Sequence, residues 1–401
     1  MIRVLQTILL GFVILSSASV AAESGETFES RVKELEKQNT ELDERHKLLE
    51  EKIDKLQNET TLAQEQTLEL DNQLHSFMNI SGYADVEFRA SSKSNENPGF
   101  RLHHFSLIFT KNISKKWRFF SEIEYEDAPE FSAEGETQGD FAIFKSFNGK
   151  IFLEAMNIDY LMMREANFRV GRFFTPAGIW LIDHYPPFVP TQVLPTHIGK
   201  IFPQLVDGGL IYGSIQMGET FLKYDTYTGN GEGNSGSGDK NSEKAFGVKL
   251  SLHLPILKYF ELGASYYQDT LNNSEDKTAV GAHAKLNFWS MMWQSEYAQG
   301  SYKGIDNIGK EEVNFDKVGY YSQLMYSIDK FAVGYRYDFY DSDTEETNNV
   351  GELTTNSLFV NYHVAKNIVT KIEYHKVDTY RDSNEFEYDE AIASIVVYLG
   401  D

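Results

Sequence analysis

Two hydrophobic rhythms divide the chain. From Phe28 to Phe77 apolar residues return every seven positions at one register, as Phe28, Leu35, Leu42, Leu49, Leu56, Ala63, Leu70 and Phe77. A seven-residue period holds one stripe on an underwound helix, so these positions predict the d sites of an α-helical coiled coil. The matching a positions are Val32, Asn39, His46, Ile53, Thr60, Thr67 and Leu74, of which three are apolar. The predicted core is therefore thin, with Leu35, Leu42, Leu49, Ile53, Leu56 and Leu70 as its apolar members, and it needs a tether elsewhere. Arg31 and Arg45 at g precede Glu36 and Glu50 at e, the charge pairing of parallel chains. Asn39 and His46 are expected as register-setting polar layers.

After Asn79 the period changes to two. Residues Ile80 to Arg89 carry apolar side chains or Gly at every even position, and Trp117 to Tyr125, Phe246 to Leu252, Val280 to Phe288 and Phe331 to Phe339 repeat the alternation. Strands are predicted near 81–90, 101–112, 115–126, 149–160, 167–174, 207–217, 219–228, 244–254, 259–269, 278–288, 291–300, 316–327, 330–341, 354–364, 367–377 and 388–399. That is sixteen strands, with connections that alternate: long or polar after odd-numbered strands, short after even-numbered ones. A sixteen-stranded antiparallel transmembrane β-barrel has this asymmetry, and strands of about ten residues suit an outer membrane. Two sandwiches in series would explain the alternation but not the rhythm of the connections.

Composition narrows the class. The 401 residues include no Cys, 23 Tyr and 28 Phe, with a formal net charge of −23. Such acidity opposes nucleic acid as a partner, and the missing thiols remove disulfides, thiolate zinc sites and cysteine nucleophiles. Residues 1–22 read as a signal peptide, with Arg3, an apolar run from Val4 to Leu15 and small residues up to Ala22. The expected organisation is then 1–22 signal peptide, 23–79 periplasmic coiled coil and 80–401 outer-membrane barrel, the whole facing lipid and lipopolysaccharide.

A sixteen-stranded barrel encloses an aqueous lumen, and whatever narrows it sets passage. The segment Thr175 to Val206 holds six of the nine prolines with Trp180, Tyr185, Phe188 and Phe202. Proline cannot donate to a β ladder, so this apolar third loop is expected to fold compactly into the lumen. Arg169, Arg172, Trp180, Asp183, His184 and Lys200 are the candidates for meeting solute. Arg169 and Arg172 should point to opposite faces unless Gly171 marks a bulge. The predicted inward charges are Arg89, Arg118, Arg169, Lys223, Lys249, Lys285, Arg336 and Lys371 against Asp85, Glu87, Glu122, Glu124, Glu154, Asp225, Glu261, Glu296, Asp338 and Glu373.

The run Phe168-Arg169-Val170-Gly171-Arg172-Phe173-Phe174-Thr175-Pro176-Ala177-Gly178-Ile179-Trp180, with Ile201-Phe202-Pro203 and Gly208-Gly209 downstream, resembles the phosphate-selective porin O and P family. The heptad-bearing extension is similar to its dicarboxylate-porin branch. The resemblance implies a homotrimeric sixteen-stranded channel for small, often anionic solutes, and a trimer would tether the thin coiled coil. Two departures stand out: eight inward bases against ten acids make no basic ladder, and Tyr398 stands three residues before the end, where such barrels place a terminal aromatic.

Other signals carry little. The glycine-rich run 229–239 lacks a Gly-Lys-Ser/Thr. The irregular spacing of Glu232, Asp239 and Glu243 suits calcium poorly, and His103, His104 and His184 show no ligand pair at metal spacing. No enzyme, cofactor or metal site is expected. The competing expectation is a structural envelope-linking protein: a plugged barrel anchor whose acidic rod, fifteen acids and seven bases over residues 23–79, binds a periplasmic or cell-wall partner.

Overall fold

A computed structural model describes residues 28–76, 78–94, 96–132, 137–138, 141–142, 145–231, 239, 241–256, 259–271, 275–305, 312–345, 351–381 and 384–400. The signal-peptide expectation for residues 1–22 lies outside them. The chain forms two compact units, residues 1–74 and 75–401.

The first unit contributes α1, Phe28–Ser76, a single helix with Glu29 in its first turn, where a carboxylate complements the helix dipole. No Gly or Pro interrupts it. Leu42, Leu49, Ile53 and Leu56 are each more than half exposed, so the heptad stripe lies open along this helix. The side chain of Leu70 lies outside the described residues. The helix is established; its assembly into a coiled coil is not.

The second unit is a closed antiparallel barrel. In chain order its strands are β1 (Asn79–Ser91), β2 (Gly99–Asn112), β3 (Trp117–Ser132), β4 (Lys145–Met163), β5 (Ala166–Phe174), β6 (Leu205–Met217), β7 (Thr220–Gly229), β8 (Ala245–Leu254), β9 (Tyr259–Leu271), β10 (Glu275–Phe288), β11 (Met291–Ile305), β12 (Glu312–Ile328), β13 (Phe331–Asp341), β14 (Glu352–Ala365), β15 (Ile368–Arg381) and β16 (Asn384–Tyr398). Each strand pairs with its sequence neighbours, and β16 closes on β1 from Tyr83↔Tyr398 to Ser91↔Glu390. A two-residue ladder, Thr137–Gln138 with Phe141–Ala142, sits between β3 and β4.

The sixteen expected strands are all present, and several run further at the long-loop end. β9 reaches Leu271 and β10 begins at Glu275; β15 reaches Arg381 and β16 begins at Asn384. Two of the connections expected to be long or polar are therefore short, because ladder hydrogen bonds continue past the stretch where side chains alternate in polarity. Outward positions are apolar and exposed, as at Val86, Phe88, Leu102, Leu324, Val333 and Ile372. Trp117, Tyr326 and Phe331 near one rim and Tyr266, Tyr335 and Tyr374 toward the other add the aromatic side chains that suit a lipid boundary.

Candidate functional site: a loop docked across the lumen

The connection from β5 to β6 folds into the barrel. Phe173, Ala177, Leu181, Ile201 and Phe202 bury themselves in one cluster with the inward Tyr227, Tyr267, Ala279, Ala298 and Tyr340. Ile179 and Trp180 form a second cluster with Tyr321. The fold of this segment follows from its residues: prolines withdraw donors from any ladder, and Gly178 takes a left-handed φ of +56° where a Cβ would stand 1.8 Å from Glu296 Oε2.

The loop is tied to the wall nearly all the way round. At one side the Gly178 carbonyl accepts from Lys249 Nζ, and Glu296 accepts from the Trp180 backbone N–H (3.1 Å) and the Tyr321 hydroxyl (2.9 Å). Across the lumen, Tyr185 donates its hydroxyl to Glu122 Oε2 at 3.1 Å. Beyond that, Lys371 Nζ donates to the carbonyls of Pro186 and Val189, both at 2.7 Å, and Asn361 to that of Pro190. Gln192 donates its backbone N–H to Glu373 at 2.6 Å and its side-chain amide to Asp85 at 2.7 Å. Arg336 completes the ring, donating to Thr191 Oγ1 (2.6 Å), the Val193 carbonyl (2.8 Å) and Asp338 (2.7 Å). Buried polar groups of this kind are costly unless paired, and here backbone and wall satisfy each other.

Two histidines of the loop meet opposite surroundings. His197 is buried and stacked on Tyr321, with Arg336 and Lys200 nearby; burial first, then those cations, push its imidazole down to about 3. His184 is also pulled down by burial, but its contact with Glu154 and the charges of Glu122 and Glu124 outweigh this and hold it above the ordinary histidine value.

Two β-bulges shape the wall opposite Lys249. Between β3 and β4 the register shifts so that Glu122 faces Ala155 and Ile123 faces Leu153, which turns both Glu154 and Ala155 inward. Asp159 is thereby inward as well, a position that strict alternation from Glu154 assigns to lipid. Between β1 and β2, Asp85 faces His104 and Val86 faces Leu102, and both His103 and His104 approach Asp85.

The expected site residues fall into distinct places. Arg169 is inward and shares the buried Asp159 with Arg118, at 2.6 Å from Arg169 Nε. Asp183 is exposed and, with Arg118, Arg169, Tyr185 and Asp225, lines a cavity of about 490 Å³ beside the loop. Lys200 is exposed, its ammonium 4.6 Å over the Tyr340 ring. Arg172 is a correction: it sits outward, paired with Asp207 at 2.7 Å opposite it on β6, so it meets no solute. Its outward placement follows from unbroken alternation with Arg169 through Gly171. Trp180 is a second correction, packed beneath the loop on Tyr321 and Arg336. His184 is mostly buried against Glu154.

Of the expected lumen-lining charges, Glu122, Arg336 and Lys371 point inward but are covered by the loop, and Glu87 lies beneath Arg89 and Arg101. They brace structure instead of facing open water. Lys223 is exposed and Lys285 half-buried, each opposite an inward partner of the neighbouring strand, Ser251 and Glu261.

A closed sixteen-stranded barrel with an apolar outer face and a loop docked in its lumen is the architecture of an outer-membrane channel. The sequence model of the Gram-negative porin family matches residues 167–382, and the chain belongs to that family, channels for small hydrophilic solutes across the outer membrane. Similar folds include the outer membrane channel DcaP of Acinetobacter baumannii (12% identity, 80% of this chain and 97% of that one, TM-score 0.57). An anion-selective porin from Comamonas acidovorans (11%, 80% and 99%, 0.55) and Salmonella typhi OmpF (12%, 80% and 97%, 0.55) are others. No curated protein matches the sequence. At these identities the structural neighbours speak for the fold alone, and they single out no phosphate-selective branch.

Proposed function

We propose that the channel prefers small anionic solutes, and that they pass beside the docked loop against Arg118 and Arg169. A single contrast carries this reading. The side chains of Arg89, Arg118 and Arg169 keep 32, 41 and 26% exposure, whereas their partners Glu87 and Asp159 are at 0 and 1%; Arg101 is the exception, paired also with the exposed Asp127. A tally of inward charges gives acids the majority, yet the acids lie behind and the guanidiniums in front. Arg118 and Arg169 also divide one carboxylate between them, which leaves hydrogen-bonding capacity for a second anion. Asp183 and Asp225 on the same cavity keep the preference modest. Phosphate is not singled out, since no ladder of bases runs through the lumen among the described residues.

The test is the reversal potential of the purified full chain in a planar bilayer under a KCl gradient. The wild type should lie on the anion side and Arg118→Glu should move it several-fold in permeability ratio toward cations. A cation-preferring wild type, or an unchanged reversal potential in Arg118→Glu, sinks the reading.

The finer organisation is proposed on the same footing. Three barrels side by side would bring three copies of α1 together and cover the open stripe at Leu42, Leu49 and Leu56, as a parallel coiled coil on the periplasmic side. Deleting residues 24–78 should leave conduction intact. If the protein is instead an envelope linker, for which the covered lumen wall speaks, the deletion abolishes its envelope phenotype and the intact chain inserts without conducting.

A further inference from the structure

The wall formed by β3 and β4 concentrates negative charge with no Lys or Arg paired to it among the described residues. Glu122, Glu124 and Glu154 are all buried and each offers an oxygen within 4.8 Å of the others. Among the described residues no Lys or Arg forms an ion pair with any of them; their neighbours are the Ser106 and Tyr185 hydroxyls on Glu122, the Tyr83 hydroxyl and the His104 ring on Glu124, and His184 beside Glu154. Every other buried inward carboxylate named above has a base or a set of N–H donors against it. Three carboxylates held together away from water repel one another strongly unless protons or a cation lie among them.

A second observation points to what that charge is. Glu154 Oε2 and His184 Nε2 are both buried and neither makes a hydrogen bond. They face each other at 3.6 Å, too far to share a proton well. Two donors about 2.1 Å from one metal ion at a tetrahedral angle stand about 3.4 Å apart. The β-bulge at Glu154 is what delivers this carboxylate to the same face as Glu122 and Glu124.

We propose that Glu122, Glu124 and Glu154, with His184 contributed by the docked loop, bind a divalent transition-metal ion of the zinc class. One imidazole among carboxylates favours Zn²⁺ over Ca²⁺, which takes oxygen donors. The ion joins the loop to the wall at the side where charge-assisted hydrogen bonds are fewest. The site is independent of ion preference in the cavity, since none of its residues except Tyr185, a neighbour, lines that cavity.

The experiment uses the full chain, stripped with EDTA, folded in detergent and incubated separately with Zn²⁺, Co²⁺ and Ca²⁺ before gel filtration and elemental analysis. About one Zn²⁺ or Co²⁺ should remain per chain, with a visible Co²⁺ spectrum of low-coordinate type. The double variant Glu124→Gln/Glu154→Gln should lose the ion, and His184→Asn should weaken binding at least tenfold and shift the Co²⁺ spectrum. A far-UV circular dichroism spectrum shows that each variant is folded; the isosteric amides relieve repulsion and should leave the barrel intact. Retention of no metal by the wild type, retention of Ca²⁺ alone, or equal Zn²⁺ in folded wild type and double variant overturns the proposal.

Discussion

The two sides of the lumen hold the same loop by opposite means. On the side of β8, β13 and β15, cations reach out: Lys249, Arg336 and Lys371 donate into loop carbonyls, and Asp338 and Glu373 stand beside them as counter-charges. On the side of β3 and β4, carboxylates wait for the loop, and it answers with a tyrosine hydroxyl and an imidazole. The first wall is balanced in charge and the second is not. His197 and His184 register the difference, one driven down to about 3 and the other held above its ordinary value. A plug can thus be secured by charge-balanced hydrogen bonding at one end and left dependent on protons or cations at the other.

Breaking the balanced wall should have the largest effect. Arg336→Met strands the buried Asp338 and frees Thr191 and Val193, a loss of about 3–5 kcal/mol for one member of a buried pair. The expected outcome is a lower thermal midpoint and noisier, larger single-channel currents.

Acid should separate the two walls next. His197 binds its proton more readily unfolded, near pH 6.5, than docked, near 3, so its contribution is complete above about 6.5 and is lost as pH falls toward 3. Where the unfolded imidazole is charged and the docked one neutral, that is about 1.4 kcal/mol per pH unit. His184 has the reverse sign: its contribution is present below about 6.5 and fades as pH rises through its raised value. In metal-free protein, thermal midpoints between about pH 4 and 6.5 should fall with acid; His197→Phe should flatten that slope, and His184→Asn should leave it unchanged while removing the loss of stability above about pH 6.5.

A smaller effect is expected at the loop's entry. Gly178→Ala forces a Cβ against Glu296 in a left-handed backbone, costing about 1–3 kcal/mol, read as a lowered melting temperature with ion preference unchanged. The smallest belongs to Arg172→Ala on the outer face. Losing its pair with Asp207 should cost about 1 kcal/mol or less and leave the reversal potential where it was, in contrast with Arg118→Glu.

Alternation made the barrel readable, because period two fixes which face each residue takes wherever the ladder is regular. It also placed Arg169 and Arg172 on opposite sides, since Gly171 keeps the register despite its φ of +127°. It failed where a bulge adds a residue. Asp159, the shared partner of Arg118 and Arg169, was invisible because parity counted from Glu154 points it outward, and the bulge at Glu154 restores it to the lumen. The proline-rich composition of 175–206 announced a folded loop, but not that it would cover Arg336, Lys371 and Glu122. Inward direction is written in sequence; what lies on top of an inward residue depends on contacts between positions more than a hundred residues apart, as with Trp180 and Glu296. The acidic trio was hidden for the same reason, since Glu154 joins Glu122 and Glu124 only through the pairing of β3 with β4.

The docked loop is the central claim, and the absence of cysteine from the sequence offers a direct test. Single substitutions Asp183→Cys and Ala177→Cys place one thiol on the exposed cavity side and one in the buried face, where Ala177 is 0% exposed. With the protein in lipid vesicles permeabilised to a small charged thiol reagent, Asp183→Cys should react at close to the rate of a free thiol and Ala177→Cys at least a hundredfold more slowly. Equal, fast labelling at both positions would mean that the loop is not held across the lumen, and the account would fail.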